Sequence, residues 1–246
     1  MLIAVISDVH GNLAALNAVM DEISSLTPDH VVNLGDLVSG PFDPRGSAER
    51  QMTSGYLTIA GNHERQLVER VQGDLDDLAR PLLSDEQLAW IAHLPQTLTL
   101  DDGRVFACHG SPAGGDMDYL LEDVRSGKAV LDDSESILPK LDGIGGAQVV
   151  LCGHTHTQRI AKIGGTLVVN PGSVGMPGYR VDQILPHVIE AGSPLARFAI
   201  IERRNGDWSA QLHAIPYHTE IPARQAEAFG FPDIAHCVRT GRVQAD

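Results

Sequence analysis

Two periodicities alternate along the chain. Short, β-branched apolar runs predict strands at LIAVIS (2–7), HVVNLG (30–35) and YLTIAG (56–61). Between the first two, Leu13, Leu16, Val19, Met20 and Ile23 recur at helical spacing and predict a helix over 12–24, with Asn12 as its N-cap. A short helix is expected over 45–54, and longer ones over 63–72 and 84–94, the last with Ser84 and Gln87 in capping-box positions. RVFACHG (104–110), AQVVLCG (147–153), QRIAKI (158–163), TLVVNPG (166–172), ARFAIIER (196–203) and WSAQLHAI (208–215) predict further strands. Gly164 with Gly165, and Asn205 with Gly206, supply hairpin turns. Residues 73–83 and 175–195 read as Gly/Pro-bearing connections, and 219–246 as a helix followed by irregular chain.

The early strand–helix alternation implies parallel strands with helices outside, and the later hairpins imply antiparallel ones. An α/β (α+β) fold follows, with either one mixed sheet or two stacked sheets between helical layers. No linker divides the chain, so 1–246 is expected to be a single domain.

The polar residues change the picture. Five predicted strands end in chemistry-bearing side chains: Asp8 and His10; Asp36; Asn62, His63 and Glu64; His109; and His154 and His156. Ligand sites of α/β sheets lie beyond the carboxyl ends of strands. In extended chain, residues i and i+2 point the same way, so Asp8 with His10, and His154 with His156, are each expected to grip one object. Taken singly, DVH, GD, GNH and CHG are as well explained by turns and helix caps. Taken together, seven N and O donors exceed a four-coordinate zinc site and suit two metals sharing one acid, Asp36.

Composition then removes alternatives. The formal charge of −14, from 32 acids against 18 bases, argues against nucleic-acid duplexes and anionic membranes as partners. Aromatics at 4% leave little for base stacking. Cys108, Cys152 and Cys237 form no CxxC pair, which fits a reducing compartment. With no basic leader and no apolar run of about 20 residues, a cytoplasmic location is expected.

The blocks DVHGN, GDLVSGP, GNHE, CHGS and CGHTH, in this order over residues 8–156, resemble the signature blocks of the calcineurin-like metallophosphoesterase superfamily. VNPGSVGMP (169–177) resembles the segment following GHTH in its small bacterial and archaeal phosphodiesterases. The resemblance covers residues 1–203 and implies a two-sheet sandwich flanked by helices, four layers in all. By the same resemblance Asp8, His10 and His156 hold one metal. Asn62, His109 and His154 hold the other, and Asp36 bridges them. Four imidazoles with carboxylate and amide oxygens suit two divalent transition-metal ions, among them Mn, Fe, Zn, Co and Ni. A hydroxide bridging the pair is implied to attack a phosphoester, with His63 as a non-ligand acid at the leaving oxygen. Glu64 is expected either to orient His63 or to serve as a first-turn helix acid.

Two departures shape the substrate expectation. GDLVSGP lacks the arginine found at the corresponding block of protein phosphatases, which weakens the alternative of a Ser/Thr phosphoprotein phosphatase. A third reading, a non-catalytic scaffold, conflicts with the intact donor set. Asn62, His63 and Arg180 are candidate phosphate contacts. Residues 178–195 form an insertion relative to the small phosphodiesterases, expected to be a loop or short helix over the site, and 219–246 a C-terminal extension. The expected substrate is a small phosphodiester, phosphomonoester or nucleotide phosphoanhydride.

Overall fold

The computed structural model describes residues 1–244. In chain order the first half contains β1 (Leu2–Ile6), α1 (Leu13–Leu26), β2 (His30–Asn33), α2 (Pro44–Met52), β3 (Leu57–Thr58), α3 (Asn62–Glu69), α4 (Asp74–Ala79), α5 (Asp85–Ala92), β4 (Thr97–Leu100) and β5 (Val105–Cys108). There follow β6 (Glu122–Asp123), β7 (Val130–Leu131), α6 (Ser134–Ile137), β8 (Val149–Leu151), β9 (Arg159–Ile163), β10 (Thr166–Asn170), β11 (Gly178–Val181) and β12 (His187–Glu190). The chain continues through β13 (Ala196–Arg204), β14 (Asp207–Ile215), α7 (Glu220–Ala228) and α8 (Pro232–Thr240).

Two five-stranded mixed sheets, β14-β13-β1-β2-β3 and β4-β5-β8-β10-β9, pack face to face. β1, β2 and β3 run parallel, as do β5, β8 and β10, so two sets of carboxyl ends are available to one site. The period of two decides which side chains fill the interior. In β1, Ile3 and Val5 point between the sheets, where they meet Val105, Val149 and Leu151. Ala4 and Ile6 point the other way, onto Leu16, Val19, Met20 and Ile23 of α1. Each such aliphatic side chain contributes about 1.5–3 kcal/mol when fully buried. On the outer face of the second sheet, Val150, Cys152 and Val168 are covered by Leu120, Leu121 and Ile137.

Local signals behave as their chemistry requires. Asn12 Oδ1 accepts from Ala15 N at 3.1 Å and starts α1. Ser84 and Gln87 form the reciprocal capping box of α5. The β9–β10 and β13–β14 turns place Gly164, Gly165, Asn205 and Gly206 at positive φ.

Four expectations are corrected. Residues 73–83 contain α4 and a 3₁₀ turn over 80–82, begun by Gly73 and three first-turn acids, Asp74, Asp76 and Asp77. Within 178–195, expected as a loop or short helix, residues 178–190 form the hairpin β11–β12, paired from Gly178–Glu190 to Val181–His187. Its period-two pattern is hidden because only four residues per strand are paired. The tail carries a second helix, α8, with Pro232 in its first turn and left-handed Gly241 after its end. Residues 245–246 of that extension lie outside the described residues. β4 is a fourth element missed, an edge strand with half-exposed alternation. No helix among the described residues is long and apolar enough to cross a membrane.

Candidate metal centre

The loops leaving β1, β2, β3, β5 and β8 meet at one end of the sandwich. There the backbone departs from the extended geometry expected of the histidine and aspartate pairs. Asp8 (φ 56°), His10 (50°), Asp36 (55°), His154 (66°) and His156 (52°) are all left-handed. Each costs on the order of 1–3 kcal/mol, and such strain collects at functional sites. The chain must turn sharply off each strand, and the left-handed residues swing their side chains to the centre. Backbone bonds hold the turns: Asp8 N to Gly35 O (3.0 Å), His10 N to Asp36 O (2.9 Å), and Gly175 N to Asp8 O (3.1 Å).

Asp8, His10 and His156 bring one ligand atom each within 4.8 Å of one another, as do Asp36, His109 and His154. His154 and His156 therefore do not grip one object. They part between two clusters, because the kink at each residue replaces the shared direction of an extended strand. Asp36 lies between the clusters, with Oδ2 3.2 Å from His109 Nε2 and 3.9 Å from His10 Nε2.

The imidazoles are oriented from behind. Nδ1 of His10 meets Ser39 O at 2.8 Å, Nδ1 of His109 meets Leu34 O at 2.7 Å, and Nδ1 of His156 meets Met176 O at 2.6 Å. A carbonyl only accepts, so each Nδ1 carries the proton and each Nε2 presents a lone pair when the ring is neutral. His10 Nε2 and His156 Nε2 then face each other at 3.0 Å. Both oxygens of buried Asp8 lack a hydrogen-bond partner among the described residues, the closest imidazole nitrogen being His156 Nε2 at 3.4 Å. One end of the Asn62 amide lies 3.3 Å from Asp36 Oδ2, 3.1 Å from His109 Nε2 and 3.0 Å from His154 Nδ1. With the rings neutral, Nε2 of His10, His109 and His156 and the carboxylates of Asp8 and Asp36 converge as acceptors, a set that fits a pair of cations.

Electrostatics follow from burial and neighbours. Burial and the adjacent His156 push His10 down to about 3, and burial with His109 pushes His154 down to about 4. Burial opposes the charge on Asp36, yet His109 and His63 outweigh it and hold the carboxyl well below its usual range.

Glycines permit the convergence. A Cβ on Gly61 would lie 2.3 Å from Asp36 Oδ1 and 2.9 Å from His109 Cε1, and one on Gly153 only 2.1 Å from Ser7 Oγ.

His63 stands at the rim, its Nδ1 2.9 Å from Asp76 Oδ1, and Asp76 also accepts from Ser39 Oγ at 2.6 Å. Burial would favour the neutral ring, but Asp36 and Asp76 outweigh it and raise His63 to about 9. Glu64 does not fill the orienting place. Its carboxylate accepts from the backbone N–H groups of Asp36 (2.7 Å), Leu37 (2.8 Å) and Gly61 (2.9 Å), as a first-turn acid of α3. Asp76 was missed because 73–83 was read as a connection; Leu75, Leu78 and Ala79 behind a glycine and acids were the available signal.

A cavity of about 380 Å³ opens over the centre, lined by His10, Asp36, Asn62, His63, His154 and His156. Tyr119, Tyr179 and Arg180 form its outer wall. Tyr179 OH donates to His154 O at 3.2 Å and lies 2.8 Å from Tyr119 OH, which in turn lies 3.0 Å from His187 Nε2. Sequence reasoning missed the two tyrosines, which have no motif around them.

Comparison with known proteins places this geometry. A curated relative from Methanocaldococcus jannaschii, an uncharacterised protein, is 26% identical over 191 residues, 72% of this chain and 77% of its own. A metallophosphoesterase from Sphaerobacter thermophilus has a similar fold, with a TM-score of 0.72 at 22% identity over 98% of this chain and 100% of that one. A hypothetical protein from Pyrococcus horikoshii OT3 gives 0.76 at 18% identity, over 99% of each. The family model described as the calcineurin-like phosphoesterase superfamily domain matches residues 1–186. The chain belongs to the calcineurin-like phosphoesterase superfamily.

Proposed function

We propose that this protein is a dimetal hydrolase of small phosphoesters, with phosphodiesters foremost. The observation that carries the reading is the pair of donor clusters on either side of Asp36, with three imidazoles fixed so that Nε2 faces inward. Asp8, His10 and His156 would hold one ion, Asn62, His109 and His154 the other, and Asp36 both. Mn, Fe, Zn, Co and Ni fit the donor set. Bound there, the ions would supply Lewis acidity at phosphoryl oxygens and lower the pKa of water.

The chain's own residues do the rest. Asp76 holds Nδ1 of His63, which leaves Nε2 to donate a proton to the departing oxygen. Glu64 fixes the backbone around Asp36 and so the spacing of the two clusters. Arg180 and the His63 imidazole provide positive charge near a bound phosphate in an otherwise acidic protein. The tyrosine wall and the β11–β12 hairpin narrow the mouth, which favours small substrates over a phosphopeptide.

Elemental analysis of variants tests the assignment. Asp36→Asn is expected to lose occupancy at both sites, whereas Asp8→Asn mainly loses one ion. Two ions retained in Asp36→Ala, or no hydrolysis of bis(p-nitrophenyl) phosphate by protein loaded with two Mn²⁺, would count against the reading.

A further inference from the structure

A second cavity, of about 580 Å³, adjoins the first. The two share Leu75, Met176, Tyr179 and Arg180 as walls, so the second begins at the rim of the first. The second cavity lies between α4, the hairpin strand β11 and the start of α8. Cys237 of α8 packs its Sγ 3.3 Å from Gly178 O in β11. A Cβ at Gly178 would lie 2.5 Å from Ile189 O and 3.2 Å from that sulfur. α8 falls beyond the family-matched residues 1–186, so the wall made by Phe231, Asp233, Ile234 and Cys237 comes from chain outside the matched region.

Its lining is of two kinds. Leu75, Met176, Phe231 and Ile234 give apolar faces, and Phe231 and Tyr179 contribute flat rings. Asp74, Asp182 and Asp233 also line it, and Arg180, which donates to Gln244 O at 2.8 Å, stands on the shared wall. Three carboxylates against one cation would repel a second phosphate. They would accept hydrogen bonds from hydroxyl or amino groups, while the rings stack on a flat partner.

We propose that the cavity bounded by Leu75, Phe231, Ile234 and Asp233 is the subsite for the non-reacting arm of a phosphodiester, and that it takes a ring-bearing, hydroxylated arm of the nucleoside type and rejects a further phosphate. The inference rests on the hydrolytic reading above for its reaction. It narrows the substrate class, since nucleotide phosphoanhydrides would place extra phosphates among the carboxylates.

Substrates with a common leaving group and different arms test it. For Mn²⁺-loaded protein, kcat/KM on thymidine 5′-p-nitrophenyl phosphate is expected to exceed that on methyl p-nitrophenyl phosphate at least tenfold. Ile234→Trp, which fills the cavity, should reduce that ratio to threefold or less. Calorimetry gives a second readout that needs no turnover. Thymidine 5′-monophosphate should bind tenfold or more tighter than methyl phosphate, and thymidine 3′,5′-bisphosphate should bind more weakly than the monophosphate. Asp233→Lys, at an exposed position, should reverse that last order. Equal kcat/KM for the two arms, equal binding of thymidine 5′-monophosphate and methyl phosphate, or preference for p-nitrophenylphosphorylcholine would overturn the subsite. If nothing is hydrolysed but the binding differences hold and vanish in Ile234→Trp, the hydrolytic reading fails and the subsite stands.

Discussion

At the scale of single residues, the site is a set of acceptors held in place by other groups. His63 is the instructive case, because it lies among the candidate ligands yet its Nδ1 is committed to Asp76. His63→Ala is expected to keep both metals and the fold while losing about 10²–10⁴-fold in rate, most for substrates with poor leaving groups. Asp76→Asn should lose less, and should widen the same difference between good and poor leaving groups. Equal losses on aryl and alkyl esters would point to electrostatic stabilisation by His63 in place of proton donation. The seven converging side chains were legible in the sequence because each follows an apolar strand within a few residues, five of them next to a glycine. Asp76 was not, because its meeting with His63 depends on where α4 packs. Glu64 had two readings, and its three amide partners select between them.

At the scale of elements, pieces with a buried face were legible and half-exposed ones were not. α1 shows its buried face in five residues at helical spacing, and β13 and β14 are nine residues each around an Asn-Gly turn. β5 and β8 have no more than four residues yet stand out as buried apolar runs, whereas β4, β11 and β12, equally short, alternate with half-exposed or exposed positions. The same contrast marks where stability resides. Leu16, fully buried against β1, is expected to cost about 2–5 kcal/mol as Leu16→Ala. Chemical denaturation measures this, and a loss below 1 kcal/mol would mean that the helix–sheet layer collapses around the gap.

At the scale of the whole molecule, an excess of acids must be kept compatible with a compact fold. Glu122 in β6 is the exposed chain's opposite, a carboxyl buried almost completely with Arg159 Nε 3.2 Å away. Burial raises its pKa, and Arg159 only partly offsets this. An acid with a folded-state pKa above its unfolded value adds stability that is fully present below the unfolded pKa and lost as pH rises through the folded one. Glu122→Gln cannot ionise, so its stability relative to wild type should rise as pH increases above the ordinary glutamate range. Thermal melts of the two proteins from that range upward check it. A difference independent of pH, or one moving the other way, would show that Arg159 fully compensates the buried charge.

The carbonyl of Met176 that fixes His156 has a consequence for biosynthesis. The donors begin at residue 8, and the group orienting the last of them comes 20 residues after His156. A nascent chain that has not yet released residue 176 from the ribosome has no finished first cluster. An ion at the first cluster would therefore not template β1 as it emerges. In a pulse-labelled translation mixture, metal bound there should rise only once residue 176 is free of the ribosome, before β13 and β14 complete the first sheet.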